Sequence, residues 1–239
     1  MKLKDTPFYR KYHPGLSTLI VERTTCVRRQ HSYIYFRVPK AANTLISSNL
    51  YLNENRAFDL STEEINHYKV SFERPSSLSQ DEVSDLRSFF KFTVVRHPST
   101  RILSCYLQKI LGGAKEKSIV TKSMGVSDDF HISFEDFLGW LAEDNNLLKN
   151  YHWCPQSALV SVGVENLDFI GKVESLSQDL DFILDTIFGD SRVKKQIDFS
   201  PGKTHATQKQ EEYFSSQSRD LTFRLYEADF ENFRYEPSK

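Results

Sequence analysis

Two short groups of residues in this chain have the types and spacing needed to bind anions. The first is Pro39-Lys40-Ala41-Ala42-Asn43-Thr44: small residues around one lysine, with an amide and a hydroxyl at the end. If this stretch joins a strand to a helix, the free N–H groups of the first helical turn and the positive end of the helix dipole hold a phosphate or sulfate, and Lys40 adds a full charge. The second group is Arg96 with Ser104: a fork of donors suited to phosphate, and a single hydroxyl. Two such sites suit a nucleotide charged at both ends. The first loop lacks the glycines of a Walker A sequence, and its lysine stands four places before Thr44, so the pocket is phosphate-like without being an obvious ATP site.

Around these lie residues with two readings each. Arg101 shares a predicted helix face with Ser104, where it either reaches the same phosphate or makes an ordinary surface salt bridge. His152 has an imidazole near neutrality at working pH and is the candidate proton acceptor; beside Trp153 and Pro155 it could equally be a packed, hydrogen-bonded histidine. Glu54, Glu63 and Glu64, downstream of the first loop, are the carboxylate alternatives. His97 reads as structural, and the histidines and cysteines show no metal-ligand spacing, so no metal is expected. Cys105 and Cys154 read as small buried hydrophobes rather than nucleophiles.

The elements that must position these groups follow from pattern. Tyr33 to Val38 is an apolar strand ahead of the Lys40 loop, and a helix follows from about Leu45. Ser61-Thr62-Glu63-Glu64 begins a helical turn with a capping box, and Ser79 to Ser88 forms another short helix. Phe89 to Val95 is a near-continuous apolar run of the kind buried on both faces in a parallel sheet. Pro98 opens a helix that Gly112-Gly113 stops. Lys115 to His131 reads as a mobile loop, Phe134 to Ala142 as a helix, Leu167 to Val173 as a third strand, and Leu176 to Phe188 and Gln210 to Tyr226 as helices. Residues 1–31 read as polar and irregular, with Leu19-Ile20-Val21 as a short strand. The alternation predicts an α/β fold: a P-loop-like parallel sheet with helices on both faces, as a single domain over residues 1–239. In such a sheet the C-terminal strand ends open on one crevice, so both anion sites are expected there.

Composition sets bounds. With 39% hydrophobic and 13% aromatic residues the chain fills a real core, and 31 basic against 32 acidic residues give no overall field for nucleic acid. No apolar run approaches the ~20 residues of a membrane span, the start has no signal-peptide core, and the cysteines are three and far apart, so a cytoplasmic location is expected.

Val38 to Thr44, followed by Phe92-Thr93-Val94-Val95-Arg96-His97-Pro98-Ser99-Thr100-Arg101-Ile102-Leu103-Ser104-Cys105-Tyr106, resembles the carbohydrate sulfotransferases of the Golgi-type family and their bacterial relatives. His152-Trp153-Cys154-Pro155-Gln156 is similar to that family's His-Trp-x-Pro-Gln segment, Phe169 to Leu176 to its strand before a helix, and Leu225 to Phe230 to its closing helix. The resemblance implies a sulfotransferase fold and transfer of a sulfuryl group from 3′-phosphoadenosine 5′-phosphosulfate to a hydroxyl of a saccharide or other small polar acceptor. It implies that Pro39 to Thr44 hold the 5′-phosphosulfate and Arg96 and Ser104 the 3′-phosphate. Lys40 would neutralise the departing phosphate, with His152 beside the acceptor. It also implies a loop at Lys203, Thr204 and His205 over the adenosine end, although this chain departs from the family's pattern there. A bacterial, cytoplasmic enzyme is the expectation; a P-loop kinase using ATP and magnesium, and a nucleotide-binding module without catalysis, are the alternatives.

Overall fold

The computed structural model describes residues 2–56, 60–194, 196–199 and 204–237. The chain divides into two compact units, Met1–Val95 with Gln156–Pro201, and Arg96–Pro155 with Gly202–Lys239. The strands are β1 (Thr25–Arg28), β2 (Tyr33–Phe36), β3 (Phe90–Val95) and β4 (Phe169–Lys172). The helices that matter here are α1 (Asn43–Asn55), α2 (Thr62–Val70), α3 (Pro98–Tyr106), α4 (Lys115–Met124), α5 (Phe134–Ala142), α6 (Leu176–Phe188) and α7 (Ser216–Phe233).

The first unit holds an α/β arrangement around a sheet of order β1-β2-β3-β4. Aromatic and β-branched residues favour the pleated state, and every residue of β2 is buried, as befits an inner strand. β2, β3 and β4 are parallel, with Tyr35 opposite Phe92 and Phe92 opposite Phe169. One face, carrying Tyr33, Tyr35, Phe92 and Val94, packs on Ile46 and Leu50 of α1, Tyr68 of α2, and Leu180, Ile183 and Leu184 of α6. The Tyr35 and Phe92 rings stack there at 5.0 Å. The capping box that opens α2 is present: Ser61 Oγ accepts from Glu64 N, and the Glu64 carboxylate accepts from Ser61 N at 2.8 Å.

Two expectations fail in this unit. β1 pairs antiparallel with β2, so the sheet is mixed; the connection through Arg29–His31 is far too short for the crossover a parallel pair needs. Leu19, Ile20 and Val21 are helical within Thr18–Thr24, where Ser17 Oγ caps Ile20 N, and the strand begins only at Thr25.

In the second unit, Leu103 and Tyr106 of α3, Phe137, Leu138 and Trp140 of α5, Trp153, and Phe230 of α7 form one core. α3 widens into a π-helical turn at Leu107–Leu111, and the chain then turns at Gly113 with φ 66°. The expected loop at Lys115 is instead α4. Glu116, Val120 and Thr121 are its buried residues; the surrounding lysines and serines hide that stripe in the sequence. The expected single helix from Gln210 is broken. A short turn, Gln210–Tyr213, ends before Ser215 caps α7, which runs on to Phe233 with a kink at Tyr226.

Cys26, Cys105 and Cys154 are buried thiols, and burial pushes Cys154 up to about 12, well away from a nucleophile. Among the described residues no helix is long and apolar enough to cross a membrane, and no group of three or more His, Cys, Asp or Glu could hold a metal ion.

Candidate active site

β2 delivers the chain into Val38–Ala42, a turn closed by the Ala41 N–H on Val38 O at 3.3 Å. Two of its residues take left-handed backbone without being glycine: Lys40 at φ 70° and Ala42 at φ 53°. Such a conformation costs an L-residue ~1–2 kcal/mol and survives only where the surroundings impose it, which is characteristic of functional loops. Ala42 is the residue before α1 and offers no side-chain cap, so the first-turn N–H groups of Asn43, Thr44 and Leu45 lack the carboxylate or hydroxyl that usually satisfies them. Lys40, half-buried, sits within this turn. Pro39 and Ala41 are buried, while Ala42, Asn43 and Thr44 are half-buried.

A second lysine joins the loop from α2. Lys69 Nζ donates to Thr44 Oγ1 at 2.9 Å, and Arg37, just after β2, donates to the Lys69 carbonyl at 2.9 Å. Burial and then the Arg37 charge pull the Lys69 ammonium down to about 8.

α1 also carries two buried asparagines in mid-helix, and they clamp the chain that follows α6. Asn49 Nδ2 donates to Ile197 O and its Oδ1 accepts from Ile197 N, each at 2.9 Å; Asn53 Oδ1 accepts from Val193 N at 2.7 Å. Asn49→Ala leaves both Ile197 backbone groups without these partners, so it should cost about 2 kcal/mol and lower the melting temperature by about 4–8 °C in a thermal scan.

In the second unit Arg96 and Ser104 meet a common segment. Arg96 Nη2 donates to Thr207 Oγ1 at 3.1 Å, and Ser104 Oγ lies 2.8 Å from Thr204 Oγ1. The structure therefore brings together Arg96, Ser104 and Thr204, with Thr207 added. Lys203 lies outside the described residues, and His205 is exposed.

Arg101 is not on that site. It is 1% exposed, and its guanidinium donates to the carbonyls of Cys154 at 2.8 Å and of Tyr151 and His152 at 3.4 Å. One guanidinium thus fastens the turn that presents His152, a scaffold position in place of the phosphate contact expected. The buried side of α3 decides this, since Arg101 and Ser104 are close in sequence but serve different neighbours.

The His152 ring lies tilted against that of Tyr151, centroids 4.3 Å apart, and its Nε2 lies 3.4 Å from Oε1 of the buried Glu116 on α4. Lys109 Nζ approaches the other Glu116 oxygen at 3.4 Å. A carboxylate beside one ring nitrogen orients the imidazole, as a general base requires. Of the carboxylate alternatives, Glu54 is held by Tyr33 Oη at 2.7 Å and Arg28 at 3.3 Å, and Glu64 is spent on its cap. His97 lies in ring contact with Phe230 and Tyr235, with Nε2 3.0 Å from Glu236 O, the structural position expected of it.

A strand, a lysine-bearing anion turn and an uncapped helix in one unit, with an arginine–serine pair in the other, form the setting for the comparisons with known proteins. The family model described as "Sulfotransferase family" matches residues 23–236. The chain belongs to the sulfotransferase family. This sulfotransferase is 28% identical to the chicken (Gallus gallus) protein named carbohydrate sulfotransferase 10, over 97% of this chain and 72% of that one. It is 28% identical to its human namesake, over 98% and 72%, and 25% identical to carbohydrate sulfotransferase 14 of zebrafish (Danio rerio), over 70% and 49%. No solved structure matches it.

Three residues beside these groups of the sulfotransferase escape sequence reasoning. Lys69 and Glu116 are distant in sequence from Thr44 and His152, and Thr207 lies just past the expected loop. Asn49 did leave a trace, since asparagine in mid-helix invites the question of what its amide holds.

Proposed function

We propose that this sulfotransferase moves a sulfuryl group from 3′-phosphoadenosine 5′-phosphosulfate to a hydroxyl of a saccharide, acting as one catalytic domain in the cytoplasm. The Lys40 turn carries this reading. Left-handed backbone at Lys40 and Ala42, with an uncapped helix start behind it, suits a phosphosulfate better than any neutral ligand. The carbohydrate sulfotransferases among the relatives support the acceptor class. Three cysteines kept as buried thiols support a reducing compartment.

In this mechanism an acceptor oxygen attacks sulfur as the bond from sulfur to the 5′-phosphate oxygen breaks, leaving adenosine 3′,5′-bisphosphate. Lys40 and the N–H groups of Asn43, Thr44 and Leu45 neutralise the charge gathering on that phosphate, and the loop from Pro39 to Thr44 fixes its direction. Arg96, Ser104 and Thr204 hold the 3′-phosphate, with Lys203 assigned to the same end. His152 takes the proton of the attacking hydroxyl, steadied by Glu116.

A thermal-shift comparison with a transfer assay tests this. Adenosine 3′,5′-bisphosphate without metal should raise the melting temperature several degrees, and ATP with magnesium should do much less. His152→Ala should keep the nucleotide shift and lose transfer of labelled sulfate to a saccharide panel. The reverse order of the two nucleotides would overturn the reading in favour of a kinase.

A further inference from the structure

We infer that Lys69 is a second anion-binding lysine of the Lys40 turn, contacting the 5′-phosphate end of the donor alongside Thr44. The inference rests on the donor reading above and deepens it.

Lys69 projects from α2 onto the first turn of α1, where Thr44 Oγ1 takes one of its three N–H bonds at 2.9 Å. A hydroxyl is a weak partner for a half-buried ammonium, and a buried cation without a carboxylate is expensive unless it awaits an anion. Among the described residues no carboxylate pairs with Lys69. Glu54, on the same helix as Thr44, is already held by Tyr33 and Arg28. Glu63 and His67 on α2 itself are exposed. The charge that reaches Lys69 is another positive one, Arg37, so like charges are gathered beside a helix start that itself favours anions. Thr44, with its hydroxyl oxygen already engaged as acceptor, keeps its own O–H to donate. The result is a set of donors — the Lys69 ammonium, the Thr44 hydroxyl and the first-turn N–H groups — at the start of α1, beside the turn that carries Lys40.

A lysine that merely ties α2 to α1 would leave nucleotide affinity and its pH dependence alone, and that separates the two roles. With its pKa near 8, the ammonium is charged at pH 7 and loses its charge as pH rises toward 9, so an anion it holds is released over that range. Binding of adenosine 3′,5′-bisphosphate should be measured by calorimetry from pH 6.5 to 9.5 for the wild type, Lys69→Met and Lys69→Arg. The wild type should weaken through pH 8. Lys69→Met should bind roughly tenfold or more weakly at pH 7 with no inflection near 8, and Lys69→Arg should stay tight across the range. If Lys69→Met is poorly folded, the flattened profile of Lys69→Arg still decides the matter. A Lys69→Met protein that binds as tightly as wild type with the same inflection overturns the assignment of Lys69 alone. A wild type that does not bind the bisphosphate at all overturns the donor reading with it.

Discussion

Lys40→Gly should lose at least a hundredfold in sulfuryl transfer while melting close to the wild type, the backbone relief offsetting what the side chain contributes. The usual objection to an active-site lysine variant is that the loop collapses, and here the backbone answers it. Lys40 sits at φ 70°, where glycine is at ease and every other residue is strained, so the substitution relieves ~1–2 kcal/mol of conformational cost and returns part of it as extra freedom in the unfolded chain. What it removes is a full positive charge beside the phosphate that must leave. Loss of one such stabilising group costs roughly a hundredfold in rate, about 2.7 kcal/mol of barrier. Steady-state transfer rates and a melting curve on the same preparation check both halves. A variant that melts as expected but keeps full activity removes Lys40 from the chemistry.

Arg101→Ala should do the opposite and damage the fold first. Its guanidinium serves the carbonyls of Tyr151, His152 and Cys154 from a site that is 1% exposed, and alanine leaves three carbonyls short of a donor and a void where the side chain lay. A loss on the order of 3 kcal/mol, and a melting temperature lower by about 6–12 °C, follows from unsatisfied buried groups and the cavity together. Arg101→Lys should fall between, because a single ammonium cannot reproduce the planar fork that spans neighbouring carbonyls. Were Arg101 a phosphate ligand, the lysine variant would instead melt normally and bind nucleotide weakly. A thermal scan with and without adenosine 3′,5′-bisphosphate separates the two.

The inner strands, α5 and α6 were readable from sequence because local signals agreed with burial. β2 and β3 are runs of aromatic and β-branched residues interrupted only by Lys91, and Ser133 with Asp136 marks the start of α5. The Lys40 turn was readable for a similar reason: strand, small residues, lysine and helix lie within one stretch. What stayed hidden depends on partners remote in the chain. Nothing near Lys69 indicates that its ammonium reaches Thr44, and nothing near Arg101 tells which side of α3 is covered. α4 was missed because a buried stripe of Glu116, Val120 and Thr121 among lysines carries little hydrophobic signal, and one of its inward residues is itself charged. The antiparallel β1 escapes because residues 1–31 are polar and irregular in pattern, although a four-residue connection to β2 permits no parallel pairing.

The seclusion of Cys26, Cys105 and Cys154 has a practical corollary. A maleimide dye finds no native target while the protein is folded, so one introduced sulfhydryl becomes its sole attachment point. Val70 is 72% exposed and adjoins Lys69 on α2, which makes Val70→Cys a place where a fluorophore would sense occupancy of the neighbouring turn in real time.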